Sequence, residues 1–514
     1  MSWKFLVFGL KFLVFGLRFL VFGFVVLTFG FNSLKAQIPN TIISKLNTPN
    51  EPSIAMHPQN PNIIWAGTNH NNVYYSKDGG QTWETEFAVS KFGCGGDPVM
   101  HINKKGDLFY FHLSNPPQGK WIDRIVAQRR SSFSQNWEVD TFTGLTPPKN
   151  QDKHWVAENP INGNLYLTWT QFDVYGSKSE KDFTNIMFSK STDDGATWSK
   201  AKDISAFAGD CIDDDNTVEG AVPASDKNGN LFVTWAGPKG LVFQKSTDDG
   251  ETWFTEEKIL EEIPGGWNYD VEGIYRSNGM PITAIDNSNS KFSGSVYVSW
   301  SDERNGTTNK DVFIKYSRDQ GQTWSDTKRV NNDPTENEQF LSWLTIDQTT
   351  GFIYTVFYDR RNHYDTKTDV FLAVSKNGGE TFENFEISES YFEPNNKVFF
   401  GDYTNIAATK GVAQAIWTRL DNKDLSLITA RIELNKLPKK NGFNVTSSSD
   451  YLIVVKNQNG ETISTLAEKI SLNKGLYSLQ ELNVKTNLSP GLYYLELQLH
   501  SDKSIIDRIS IKVE

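Results

Sequence analysis

The sequence predicts an all-β chain: a seven-bladed β-propeller built from four-stranded units, followed by a small immunoglobulin-like β-sandwich. Three observations carry this expectation. One octapeptide recurs as SKDGGQTW at 76–83, STDDGATW at 191–198, STDDGETW at 246–253, SRDQGQTW at 317–324 and SKNGGETF at 375–382, with a decayed copy, RSSFSQNW, at 130–137. Between the copies stand apolar runs of period two, closed by short turns rich in Asn, Asp, Gly or Pro. Beyond Leu437 both the octapeptides and the tryptophans stop.

The chain begins with Lys4, Lys11 and Arg18, then an unbroken apolar run from Phe19 to Phe31, then small and polar residues as far as Ala36. That order reads as an export signal over residues 1–36, with cleavage near Ala36. The uncharged stretch is shorter than the ~20 residues a membrane span requires, so an uncleaved anchor is the minority reading and the mature chain is expected to carry no span. Removing the segment takes four positive charges and no negative ones, shifting the formal charge from -11 to about -15. A chain this acidic is a poor partner for nucleic acid, whose phosphates demand basic patches. Cys94 and Cys211 are too few for a disulfide scaffold and read as two independent thiols rather than one bridge.

Within residues 37–437 each octapeptide follows an apolar hairpin, here strands A and B, and a third strand C that runs into it; strand D comes after. NGNLYLTWT, NGNLFVTWAG and SGSVYVSW are such B strands. Four-stranded units in series are propeller blades. Seven A–B pairs can be counted, and the last unit lacks its own fourth strand. TIISKL at 41–46 is free to supply it and to close the ring, removing the sheet edges. A six-bladed ring with one hairpin displaced is the alternative.

The octapeptide itself reads as structural. Its Ser and Asp bond nearby backbone in a tight turn, Gly supplies positive φ, and Trp anchors the turn between sheets. Because it joins C to D, it faces away from the rim made by the D-to-A and B-to-C connections. That other rim gathers Asp97, Asp152, His154, Trp155, Asp213, Asp214, Asp215, Glu219, Trp267, Tyr269, Asp270, Glu272, Glu338, Trp343, Asp402 and Tyr403 before A strands. After B strands it gathers Asp173, Tyr175, Asp302, Glu303, Arg304, Asp359, Arg360, Arg361 and Arg419. Aromatic faces stack on sugar rings and carboxylates accept hydroxyl hydrogen bonds, so such a mouth suits carbohydrate. Asp302 with Arg304, and Asp359 with Arg360, also read as ion pairs that only pack the rim. DDDNTVE at 213–219 offers oxygen ligands for calcium at Asp213 and Asp215, with a solvated acidic loop as the competing reading. Metalloprotease, serine hydrolase and nucleotide-binding signatures do not occur.

The octapeptide is similar to S-x-D-x-G-x-T-W, the Asp-box of the BNR repeat family, over roughly residues 40–435. The family's sialidases imply three arginines clamping the substrate carboxylate, a tyrosine nucleophile assisted by a glutamate, and an early aspartate as acid/base. On that resemblance Arg304, Arg360 and Arg419 would bind substrate, Tyr403 would be the nucleophile with Glu338 or Glu272 as its partner, and Asp97 the acid/base. Trp155, Trp267, Trp343 and Asp402 would line the substrate site. The early Phe/Tyr-Arg-Ile-Pro motif is missing, since TPNEPSIAMHPQNPNIIWAG contains no arginine. Other Asp-box propellers cleave neutral polysaccharides with two aspartates, which Asp97, Asp152, Asp270 and Asp402 could supply. The functional expectation is a secreted or surface-displayed glycan-binding propeller with glycosidase activity, and a non-catalytic glycan- or protein-binding propeller is the alternative.

Residues 438–514 hold short alternating strands suited to a small sandwich. The order of a strand with Asn-Gly, then LSPGLYYLEL, then a final strand resembles the C-terminal sorting domains of the type IX secretion system, which implies the secretion machinery as a partner. The usual Asn-Pro opening is absent.

Overall fold

The computed structural model describes residues 38–513, apart from 133, 135, 334, 364, 438–441, 446, 458–459, 474, 479–481 and 483–487. The export-signal reading of 1–36 and part of the decayed octapeptide lie outside the described residues. Among those described, every regular element is a β-strand, and no helix is long and apolar enough to cross a membrane.

Residues 40–433 form seven four-stranded antiparallel sheets. Six are continuous in sequence: sheet 1 (53–87), sheet 2 (96–143), sheet 3 (150–203), sheet 4 (219–261), sheet 5 (282–329) and sheet 6 (339–386). Sheet 7 combines Asn405–Thr409, Val412–Asp421 and Asp424–Glu433 with Asn40–Ser44 from the other end of the chain. Asn40 pairs with Ala430, Thr41 with Thr429 and Ile42 with Ile428, and a bulge then sets Ser44 opposite Leu427. TIISKL thus supplies the strand that the last unit lacks. The first strands of the seven sheets touch their neighbours in a closed cycle, with that of sheet 1 against that of sheet 7.

The second strands make the core because both of their faces are covered, the large apolar residues packing beside buried Thr and Ser. Leu165–Phe172, Leu231–Gly237 and Val296–Asp302 are buried at every position. Trp169, Trp235, Trp300 and Trp417 recur near the end of this strand in sheets 3, 4, 5 and 7, and all four are almost wholly buried. The outermost strands of sheets 3 and 5 are only two residues long, Lys202–Asp203 and Lys328–Arg329, which leaves little unpaired backbone at those edges.

Each octapeptide joins the third strand to the fourth. In the copy at 246–253, Ser246 Oγ donates to Asp248 Oδ1 at 2.8 Å and accepts from the Gly250 amide at 3.0 Å. Asp248 in turn accepts from the Thr252 amide at 2.8 Å and its hydroxyl at 2.6 Å. The turn is riveted to the preceding sheet. Trp253, Trp324 and Trp198 are half-buried rather than enclosed, and meet Phe188, Phe243 and Phe111 edge-on at 5.1, 5.2 and 6.0 Å. Gly250, at φ +80°, lies so close to Phe188 that a Cβ would stand 2.3 Å from its Cζ.

Beyond the ring, Thr462–Leu472, Ser449–Lys456, Gly491–Leu499 and Ile505–Val513 form one sheet in that order, and Gly442–Val445 pairs with Gly475–Ser478 in a second. Both sheets contribute to one apolar cluster that includes Phe443, Val445, Tyr451, Ile453, Leu495 and Leu497.

Two outcomes follow for the octapeptide. Gly250→Ala combines a left-handed φ with overlap on Phe188, so it lowers stability by about 1–3 kcal/mol, read as a fall in the unfolding midpoint. Hydrogen bonds from the Thr hydroxyl and amide hold Asp78, Asp248 and Asp319 down at about 2. A depressed carboxyl stabilises the fold above its unfolded value of ~3.9, and this stabilisation fades as pH falls toward 2. Asn377 joins the same groups in the copy at 375–382, accepting from the Ser375 hydroxyl and the Thr381 amide and donating its Nδ2 to the Thr381 hydroxyl, so the triple variant Asp78→Asn, Asp248→Asn, Asp319→Asn keeps the fold. Its melting temperature drops less between pH 4 and pH 2 than the wild type's; equal drops would show that these turns do not titrate in that window.

Candidate functional site

The site grows out of an irregularity shared by several first strands. Pairing register slips between Gly96 and Val99, Asp152 and Trp155, Glu219 and Val222, and Phe340 and Trp343. Within each slip one residue adopts left-handed backbone: Asp97 at φ 49°, Lys153 at 48°, Gly220 at 74° and Leu341 at 49°. Glu51, at 51°, precedes Pro52 in sheet 1 as Asp97 precedes Pro98 in sheet 2. Bulges re-aim side chains, and non-glycine residues held at positive φ cost of order 1–3 kcal/mol each. Four such strained residues, in or just before the first strands of sheets 1, 2, 3 and 6, mark a place where side-chain direction outweighs backbone comfort.

Those directions assemble a charged cluster of Glu51, Asp97, Asp152, Asp213, Glu219 and Asp402 around two cations, Lys153 and Arg276. Lys153 Nζ lies 3.2 Å from Asp402 Oδ2 and 3.7 Å from Asp97 Oδ2, and its amide donates to Asp152 Oδ1 at 2.8 Å. Arg276 Nη2 donates to Asp402 and lies 3.9 Å from Glu51, while its Nη1 is 3.5 Å from Asp213 Oδ2. Tyr175 donates its hydroxyl to the same Asp213 oxygen at 2.7 Å. Asn69 donates to Glu51 and accepts from the Asp97 amide at 3.0 Å. Beside the charges sit Trp155, Trp343 and Tyr403, with ring centroids 4.2 Å apart for the tryptophan pair and 5.6 Å for Trp155 with Tyr403. Lys153, Trp155, Asn278, Trp343, Asp402 and Tyr403 line a cavity of about 30 Å³, room for a water or two.

Burial divides the acids into two groups. It pushes Glu51 well above the usual carboxylate range, aided by Asp402 and Asp97, and does the same to Asp152 beside Asp97 and to Glu219 beside Asp213 and Asp152. Burial also opposes ionisation of Asp402, but Arg276 and Lys153 outweigh it and hold that group well below its ordinary value. Burial and the neighbouring Asp97, Glu51 and Asp402 push the Tyr403 phenol well up. Burial, with His112 and Lys153 nearby, brings His154 down to about 4 against the pull of Asp97. Neither oxygen of Glu219 accepts a hydrogen bond, and Asp402 Oδ1, Tyr403 Oη and Arg276 Nε are buried without a partner.

Of the residues singled out from sequence, the structure brings together Asp97, Asp152, Asp213, Glu219, Asp402, Tyr175, Tyr403, Trp155 and Trp343. The three arginines are engaged elsewhere. Arg304 forks onto Asp302 at 2.6 Å and reaches Glu261 at 3.2 Å, Arg360 donates to Glu338 at 2.7 Å and to the Glu272 carbonyl at 2.6 Å, and Arg419 pairs with Asp421 at 2.8 Å and the Ser390 carbonyl at 2.9 Å. None of these partners is shared, so they form no common clamp. The expected Asp302–Arg304 pair is present, whereas Asp359 pairs with Arg361 at 2.6 Å instead of Arg360. Glu338 is held between Arg360 and Lys310, and the Glu272 side chain is exposed. Trp267 is packed against Trp300 and Leu241 and donates to the Thr217 carbonyl, so it is wall rather than stacking platform. Asp213 serves Arg276 and Tyr175, Asp215 accepts from the Asn268 amide at 2.8 Å, and among the described residues no group of three or more His, Cys, Asp or Glu is arranged to hold a metal ion.

Sequence reasoning passed over Glu51, Lys153 and Arg276. A signal for Glu51 was available, since NEPS at 50–53 parallels GDPV at 96–99. Arg276 sits in the long connection between sheets 4 and 5 and crosses to sheet 7, where Asn278 also donates to the Asp402 carbonyl at 2.8 Å. No local pattern announces such a crossing.

A family model described as BNR repeat-like domain matches residues 163–410, and one described as BNR/Asp-box repeat matches residues 74–85. No curated protein matches. Similar solved structures include the Hadza microbial sialidase Hz136, 14% identical over 73% of each chain at a TM-score of 0.40. A PL25 ulvan lyase bound to a GlcA–Rha3S repeat is 13% identical, covering 78% of this chain and 98% of its own at 0.43. The α-L-arabinofuranosidase arb93a from Fusarium graminearum is 10% identical, covering 78% and 99% at 0.44.

An acid whose folded value is raised loses stability as pH climbs past its unfolded value, ~4.3 for glutamate. Glu219→Gln therefore melts higher than the wild type at pH 7, and the difference shrinks toward pH 4. A difference that stays constant across this range would mean that Glu219 ionises normally in the fold.

Proposed function

We propose that the channel mouth binds an uncharged, hydroxyl-rich glycan and that its buried carboxyls hydrolyse it by acid/base catalysis. The observation that carries this reading is the coexistence, in one site, of carboxyls whose burial opposes ionisation, Glu51, Asp152 and Glu219, and a carboxyl, Asp402, whose ionisation Arg276 and Lys153 favour. Environments that push titratable groups apart are how one site holds both an acid and a base at neutral pH. Asp152 is assigned as the proton donor to the leaving oxygen, and Asp402, the group held ionised, as the base that activates water for attack on the sugar carbon. Trp155 and Trp343 offer apolar faces to a sugar ring. Tyr403, whose phenol is held strongly protonated, suits hydrogen-bond donation rather than nucleophilic attack. Lys153 and Arg276 are already paired with Asp402, and Arg304, Arg360 and Arg419 are committed elsewhere, so none of these cations is free for a sialic acid carboxylate.

The small cavity favours a second reading, binding at the mouth without turnover. A sugar reaches Asp152 only if the connection at 262–281, tied to Asp402 through Arg276 and Asn278, lifts away. Export is part of the proposal: the charged-then-apolar start of the chain and the strand order of the C-terminal sheets support delivery outside the cell, the latter through secretion machinery.

The test is sugar release from a mixed pool of neutral and sialylated glycans, followed by mass spectrometry. The wild type releases neutral sugar, and Asp152→Asn lowers the rate by about 100-fold or more with an unchanged circular dichroism spectrum. Binding without release selects the second reading, release of sialic acid overturns the uncharged substrate, and neither release nor binding removes the glycan reading.

A further inference from the structure

A chain of side-chain contacts runs through Asp213 and Arg276, two members of the charged cluster, and ends in two exposed rings. At one end Trp121, in the connection between the second and third strands of sheet 2, is 49% exposed and meets Tyr175 edge-on at 5.5 Å. Tyr175 donates to Asp213, Asp213 faces Arg276, and Arg276 lies over the Phe399 ring at 5.4 Å. Phe399 in turn meets Tyr275, 59% exposed, at 5.7 Å and an interplanar angle of 72°. The connections that supply these residues are bordered by sheets 2 to 7. Each outer ring is propped by an edge-on neighbour while half its surface or more stays open, an arrangement that presents a flat apolar face at a fixed angle. Between the rings stand hydrogen-bonding groups, and the Tyr403 hydroxyl and Asp402 Oδ1 are buried without a partner.

We propose that this line is a track for an extended, uncharged polysaccharide chain, with Trp121 and Tyr275 as its outer sugar-stacking platforms. The proposal rests on the glycan reading above and extends it: the ligand is a polymer several sugars long rather than a terminal residue. Rings spaced along a polar strip match the alternation of apolar faces and hydroxyls along such a chain. The acids at Asp213, Asp214 and Asp215 exclude an anionic one. Both outer rings are exposed while the connection at 262–281 is in place, so a chain can reach them without its moving.

The experiment measures binding of neutral cello-, manno-, xylo- and arabino-oligosaccharides, two to eight sugars long, to the full chain by array and then calorimetry. Affinity rises with length in the wild type. Trp121→Ala and Tyr275→Ala each weaken the longest ligand roughly three- to tenfold, leave the disaccharide unchanged and melt with the wild type, since both rings are exposed. Equal affinity from disaccharide to octasaccharide, or variants that bind the long chains like the wild type, overturns the track while leaving the glycan reading intact. Preference for polyanionic chains or for an extended polypeptide also overturns it. Failure of the wild type to bind any oligosaccharide removes the glycan reading together with the track.

Discussion

The pairing of Asn40–Ser44 with Asp424–Glu433 is the constraint on which the charged channel depends. It fastens the beginning of the chain to sheet 7, and so brings Glu51, at the entrance to sheet 1, to the same Arg276 that Asp402 engages from sheet 7. Residues some 350 positions apart become neighbours because the ring is joined there. The strand contributes little polar chemistry of its own. Its role is to let seven sheets share one axis, around which bulged first strands point their side chains inward.

That axis is an expensive place. Left-handed backbone at Glu51, Asp97, Lys153 and Leu341 and acids buried beyond the reach of their counterions all work against folding. The opposite end of each sheet offsets this with turns whose Ser, Asp and Thr groups hydrogen-bond within the turn and whose Trp and Gly pack on the sheet before. Fully buried tryptophans in the second strands supply the apolar mass between the two ends. Stability and chemistry are thus placed on opposite rims, the usual consequence when a site tolerates strain that its scaffold must outweigh.

The scaffold was legible in the sequence because its signals are local and repeated: period-two strands, Asn-Gly turns and an octapeptide that always joins the same two strands. The site was legible only in part. Asp97, Asp402, Tyr403, Trp155 and Trp343 could be placed at the rim from their position before first strands. Which charges meet could not, because partner choice is decided across sheets. Arg360 and Arg361 are adjacent, yet one turns to Glu338 and the other to Asp359. Trp267 shares the composition of a sugar platform and is nonetheless packed inside. Lys153 looks like any surface lysine until a bulge swings it into the channel, and Arg276 matters only because a twenty-residue connection carries it over the axis.

A ring joined by its first strand also has an order of assembly. Six of its sheets are made of consecutive strands, so each contains mostly short-range pairings and can begin to form as its own segment becomes available. The seventh waits, because Asn40–Ser44 has no partner until Asp424–Glu433 exists. Throughout synthesis the leading strand is an unpaired edge, and half-made chains carry open sheet at both ends, the condition in which β-rich intermediates meet one another instead of themselves. Propeller formation in this chain is consequently a late, long-range event, and the charged channel comes into being only at that final step.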